Sequence, residues 1–216
     1  MTRTKYQETL GILRRNVTQM GKLSQDAIHN SIAALKELNI DLAENVIEGD
    51  QIIDDYELSI EKCVAQLISL QSPTAGDMRL VTSCLKIAID LERMSDLAVD
   101  IAQSTKKIEG NHIKPLIDIP KMAEMAESML EQAMIAFENN DVSLAESVAK
   151  LDDEIDRTFY AVWKELMKMM IQDETIINNA SHLLFVIRYL ERIGDHACNI
   201  CESVVYNASG KRENLN

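Results

Sequence analysis

The chain has 216 residues, 46% of them hydrophobic, 26% charged and only 4% aromatic, with seven glycines, three prolines and a formal net charge of -13. That length builds one large domain or two small ones with real cores, and the scarcity of loop formers favours helices over sheets. The acidity argues against a nucleic-acid partner, which needs clustered Lys and Arg, and points to cations or basic protein surfaces.

In chain order, the opening MTRTKYQETLGILRRNV has neither the apolar core nor the cleavage site of a leader. No run of about 18 apolar residues appears anywhere, so the expectation is a soluble, cytoplasmic protein without a transmembrane segment. The periodicity predicts six long helices. The first spans about 6–38 and draws one apolar stripe through Leu13, Val17, Met20, Leu23, Ala27, Ile28, Ser31, Ile32 and Leu35. The second runs to about Leu70, opened by Asp41 with Glu44 as its capping box. Ser72, Pro73, Thr74 and Gly76 mark a turn, and a third helix follows over about 75–108. Gly110, Pro115 and Pro120 cluster between 109 and 120, the clearest boundary in the chain, dividing it into 1–110 and 111–216. A fourth helix is predicted over 120–139, a fifth over 142–171 opened by Ser143 with Glu146, and a sixth over 176–207. The polar tail SGKRENLN reads as a frayed end.

The two halves repeat. At an offset of 102, Met20 matches Met122, Leu42, Ala43 and Glu44 match Leu144, Ala145 and Glu146, and Asp50, Ile53 and Asp54 match Asp152, Ile155 and Asp156. After the turn at Pro73 the offset is 99, where LERMSD at 91–96 matches LERIGD at 190–195. The simplest architecture is therefore all-α, a tandem repeat of two antiparallel three-helix bundles.

Within each repeat, acids recur four residues apart on one helical face: Asp50 with Asp54, Glu92 with Asp96, Asp152 with Asp156, and Glu191 with Asp195. Like charges at this spacing repel, so a cation or a solvated acidic ledge is implied. Across an antiparallel hairpin, residues equidistant from the turn lie level. Asp54 and Glu92, like Asp50 and Asp96, are equidistant from position 73; Asp156 with Glu191 and Asp152 with Asp195 are equidistant from the turn QDET. Four carboxylates per repeat are thus placed at matching heights. On a helical wheel they fall on a shoulder, beside the main stripe Cys84, Ile87, Leu91, Met94 and Ala98. Asp100 extends the strip in the first half, where Asn199 stands in the second. Oxygen-only donors suit Mg, Mn, Ca or Fe, and bridging carboxylates can hold more than one ion.

Other readings are weighed against the same residues. Cys198 and Cys201 form a CxxC spacing, but without a second pair of soft ligands they read as buried thiols. A carboxylate-bridged di-metal oxidase needs Glu-x-x-His, and none of the histidines at 29, 112, 182 and 196 follows a Glu by three. His196 reads as a surface or interhelix residue. A metal-free helical adaptor would instead present the acidic pairs, with Arg93 and Arg192, to a basic partner.

LxxxIDLERMSDLAVDIA and IRYLERIGDHACNICE resemble the paired signatures of the PhoU family, and the resemblance extends from about Thr9 to Tyr206. It implies two three-helix bundles with multinuclear metal sites on their surfaces, for which the expected ligands are Asp50, Asp54, Glu92, Asp96, Asp100, Asp152, Asp156, Glu191, Asp195 and Asn199. Metal identity does not carry over from the resemblance, and Fe, Mn, Mg and Zn are the candidates. It also implies a non-enzymatic homodimer that represses phosphate uptake and the phosphate-starvation response, linking the phosphate ABC transporter ATPase to its sensor histidine kinase. Membrane association would then be peripheral, through those partners. Two departures, Tyr189 opposite Asp90 and Asn199 opposite Asp100, predict that the two sites differ, and paralogues serving other phosphate carriers share the pattern.

Overall fold

A computed structural model describes residues 3–70 and 73–215, and the described residues form helices and their connections only. Three helices, α1 (Arg3–Glu37), α2 (Ile40–Leu70) and α3 (Ala75–Lys107), make the first unit. The second comprises α4 (Asp118–Asn139), α5 (Val142–Ala149), α6 (Asp152–Gln172) and α7 (Ile177–Ser209), with one 3-10 turn at Glu174–Ile176. The all-α tandem repeat is thus the observed fold.

The helix expected as one rod over 142–171 is broken at Lys150 and Leu151. There the Leu151 N–H donates to Val148 O at 2.9 Å and the Glu154 N–H to Leu151 O at 3.0 Å, a tightened 3-10 step. Asp152, Asp153 and Glu154 fill the first turn of the new helix, where the positive end of the dipole favours negative charge. No glycine or proline marks the spot, so the periodicity runs through it unnoticed.

Helix starts also differ from expectation. Asn39 caps α2 by accepting from the Leu42 N–H at 3.0 Å, and Asp141 caps α5 by accepting from the Leu144 N–H at 3.0 Å. These replace the boxes expected at Asp41 and Ser143: each cap lies two residues earlier, where the short Asn or Asp side chain reaches the amide three residues on. Glu44 is engaged elsewhere, by Lys106 at 3.0 Å. Thr74 opens α3 with a capping box to Asp77; Ser72, placed in the same turn, lies outside the described residues.

One apolar core runs through both units. α1, α2 and α3 pack on one another, α7 packs on α4, α5 and α6, and the units join through α3 on α7 and α1 on α4. Leu13, Val17, Met20, Ile28 and Leu35 on the predicted α1 stripe are fully buried, as are Ile87, Leu91 and Met94 of α3 and Ile187, Leu190 and Ile193 of α7. Each such side chain contributes about 1.5–3 kcal/mol on burial. Polar groups reinforce the junction: Ser83 Oγ donates to Ser203 O at 3.1 Å, and Arg14 donates to Glu138 O at 2.9 Å while lying over the Phe137 ring. Arg14 thereby satisfies carbonyls that the end of α4 leaves open.

As far as Leu215, the tail expected as a frayed end lies back on the bundle. Gly210, at φ 74°, turns the chain out of α7, and the segment folds back until the Leu215 N–H donates to Glu202 Oε1 at 3.1 Å.

Candidate metal centre

In the first repeat, the α3 stripe Cys84, Ile87, Leu91, Met94 and Ala98 is fully buried, which leaves Glu92 and Asp96 at its edge, partly exposed. Asp50 and Asp54 reach the same place from α2. Ser95 donates its hydroxyl to Asp50 Oδ1 at 2.5 Å and so ties the two helices at the level of the acids. Burial, followed by Asp54 and Asp96, raises the Asp50 carboxyl above its ordinary range despite that bond. Burial and then Asp96 push Glu92 up to about 7, with Arg93 opposing and Glu57 and Asp54 adding to the rise. Arg93 lies 3.4 Å from Glu92 and 3.1 Å from Asp96, the pairing expected of a ledge arginine.

Glu57 is an acid the sequence reading missed. It sits within the field of Asp54, Glu61 and Asp96 and is itself raised, first by burial. The signal available was its position three after Asp54, but its repeat counterpart is Phe159, so the comparison of halves passes over it.

In the second repeat, Glu191 and Asp195 from α7 meet Asp152 and Asp156 from α6. Burial raises Glu191 first, then Asp195, with Arg188 opposing and Asp156 and Asp152 contributing. Asp195 is raised by burial and Asp156. Arg188 donates to Glu191 Oε1 at 2.5 Å, whereas Oε2 is buried without a hydrogen-bond partner among the described residues. Asp152 leaves the expected shoulder altogether, being only 2% exposed. Gly194 makes this position available: a Cβ there would lie 2.6 Å from Asp152 Oδ1. Gly194 matches Ser95 of the first repeat. One unit holds its inner aspartate with a hydroxyl, and the other makes room for it.

The eight acids of the two hairpins are thus grouped four to a repeat, as their level heights predict. The outlying pair behaves differently. Asn199 donates its amide to Asp90 Oδ1 at 3.0 Å, and His196 Nδ1 stands 2.9 Å from the same oxygen. Asp100 lies in the field of Asp96, Arg192 and Lys107, and it raises Tyr189 after burial. The two departures from the repeat, Tyr189 for Asp90 and Asn199 for Asp100, therefore lie on the faces where α3 meets α7. His196 is the interhelix residue the sequence indicated.

Whether the ledges suit metal ions turns on donor chemistry and geometry. Carboxylates on adjacent turns of paired helices, with Asp50, Glu92, Glu191 and Asp195 raised first by burial and then by neighbouring acids, supply hard oxygen donors whose crowded charge a cation would offset. As the side chains stand, no three Asp, Glu, His or Cys groups among the described residues converge on one point at ligand spacing. Arg93, Ser95 and Arg188 take the oxygens instead, so coordination requires carboxylate rotamers to turn inward. The cysteines are unbridged: Cys84, Cys198 and Cys201 are buried free thiols, burial pushes Cys84 and Cys201 up to about 12, and Cys198 is raised by burial and then by Asp152 beside it.

Comparison with known proteins places these features. The family model for the PhoU domain matches the chain twice, at residues 17–105 and 119–204. A Clostridium acetobutylicum protein named phosphate-specific transport system accessory protein PhoU homolog is 35% identical over 100% of both chains. An Aquifex aeolicus protein of the same name is 39% identical over 92% of this chain and 90% of its own. The crystal structure of the phosphate transport system regulatory protein PhoU from Streptococcus pneumoniae superimposes with a TM-score of 0.91 at 31% identity, covering 96% of this chain and 99% of that one. PhoU from Pseudomonas aeruginosa gives 0.92 at 31% identity over 95% of this chain and 100% of its own. Both family matches end on the motif helices α3 and α7, and with relatives similar over their whole length the chain belongs to the PhoU family.

Proposed function

We propose that this protein is a metal-binding, non-enzymatic negative regulator of phosphate uptake, built from the domains 1–110 and 111–216. The observation that carries the reading is the level set of four carboxylates in each repeat, Asp50, Asp54, Glu92 and Asp96 in one and Asp152, Asp156, Glu191 and Asp195 in the other. Asp100 and Asn199 border these sites. Fe, Mn, Mg or Zn would be held by oxygen donors, with bridging carboxylates allowing more than one ion per ledge. The bound ion would supply positive charge and rigidity at the α2–α3 and α6–α7 hairpins, while Ser95 and Gly194 keep the inner aspartates at the helix junction.

Its relatives' name, accessory protein of the phosphate-specific transport system, supports a regulatory role here. In this reading the protein acts in the cytoplasm as a homodimer. The transporter ATPase and the sensor histidine kinase are the partners through which it would act, attached to the membrane only by them; among the described residues no helix is long and apolar enough to cross a membrane. A carrier paralogous to the main phosphate transporter is an alternative client. The competing reading, a metal-free acidic adaptor, draws on the present side-chain positions, in which no three ligating groups converge.

Deleting the chain from its host should derepress phosphate uptake and a starvation reporter in phosphate-rich medium, and restoring the wild type should silence both. Failure of the deletion to alter either would overturn the regulatory reading. Silencing by the Asp96→Ala, Asp195→Ala variant as fully as by wild type would favour the adaptor.

A further inference from the structure

We propose that Lys211–Leu215 is a strap that runs along the Asp195 end of the second acidic ledge and slows solutes in reaching the wall beneath it, leaving the two ledges unequal in access. Four contacts fix its course. Gly210 adopts the left-handed conformation at φ 74°, which ends α7 and reverses the chain. Ser209 Oγ accepts from the Lys211 N–H at 3.0 Å and holds the turn. The Arg212 guanidinium then lies 5.7 Å from the centre of the Tyr206 ring, one turn back along the helix. The Leu215 N–H reaches Glu202 Oε1 at 3.1 Å, and its side chain packs against the core.

The strap borders an open groove of about 610 Å³. Asp195, Cys198 and Asn199 form one wall, and Arg212, Glu213 and Asn214 form the other. The first repeat serves as an internal comparison. There Ile108 leaves α3 in an extended conformation, and the chain is drawn off toward α7, where Asn179 brackets Glu109 by accepting from its N–H at 3.1 Å and donating to its carbonyl at 2.7 Å. Nothing among the described residues folds back along the Glu92 ledge as the strap does along that of Asp195. The shielding is a geometric claim that stands without metal; its consequence for cation exchange rests on the function proposed above.

Cys198 reports on the shielded wall. In a Cys63→Ser background, its rate of labelling by N-ethylmaleimide is read by peptide mass spectrometry, with the buried Cys84 of the first repeat as control. The full chain is compared with Leu215→Asp and with a chain ending at Gly210. Both variants should label Cys198 about tenfold faster, the truncation by removing the Leu215 N–H bond to Glu202 with the leucine, and Leu215→Asp by replacing the half-buried leucine with a carboxylate that repels Glu202, with Cys84 and the helical circular-dichroism signal unchanged. Equal Cys198 rates in all three proteins, or parallel acceleration of Cys84, would overturn the strap. In a second arm the proteins are loaded with Mn(II): faster release from one of two sites in the variants extends the strap to cations. Accelerated Cys198 labelling with no Mn(II) bound by any form would uphold the strap while removing the metal reading.

Discussion

Glu92 combines the two forces that shape each ledge: burial, which disfavours charge, and neighbouring carboxylates, which disfavour it further. Its ordinary value of 4.5 is pushed up to about 7 in the fold. The native state therefore holds this proton more tightly than the unfolded chain does. The resulting stabilisation is fully present below about pH 4.5 and is lost as pH rises through about 7. In metal-free protein, Glu92→Gln should flatten the fall in stability across that window, measured by urea unfolding at several pH values. Parallel profiles for wild type and variant would show that Glu92 titrates as it does in water. At this scale the sequence was informative where chemistry recurs, since the pairs Asp50/Asp54 and Glu92/Asp96 return as Asp152/Asp156 and Glu191/Asp195. It was silent on Ser95 and Gly194, because their roles depend on which aspartate lies across the hairpin and their repeat counterparts differ in kind.

At the scale of elements, the hairpins explain why those aspartates are held. α7 approaches α6 closely at Gly194, where an added Cβ would stand 2.6 Å from Asp152 Oδ1 and 3.1 Å from Ile155 Cδ1. Alanine gains up to about 1 kcal/mol in helix propensity, whereas overpacking costs about 1–3 kcal/mol, so the steric effect should win. Gly194→Ala is expected to lower stability by about 1 kcal/mol and Tm by about 2–4 °C, read by thermal circular dichroism. A higher Tm would mean that Asp152 swings aside freely. Helix number, order and core stripe were legible because apolar spacing repeats over many turns. The break between α5 and α6 was not, since it arises from acids gathered at a helix start and from no disrupted periodicity. The caps were misplaced for a related reason: Asp41 and Ser143 are good cap residues, but Asn39 and Asp141 reach the first free amides.

Across the whole molecule, two repeats share one core along α3 and α7 and turn their acidic shoulders outward on separate hairpins. The repeat made this architecture legible from offsets alone. It could not show that Asp90, Asn199, Asp100 and Tyr189 lie where the units meet, because a repeat describes each half and says nothing of how the halves dock. It also could not show the returning tail, whose last anchor, Leu215, has no periodic pattern around it. Metal at the two ledges is the step on which the proposed function rests. Elemental analysis of untagged protein purified without chelator, wild type beside the Asp96→Ala, Asp195→Ala double variant, decides it. Metal in the wild type that falls in the variant, with the helical signal intact, is the predicted result. No metal in either protein, even after soaking with Mg, Mn, Fe and Zn, would contradict it.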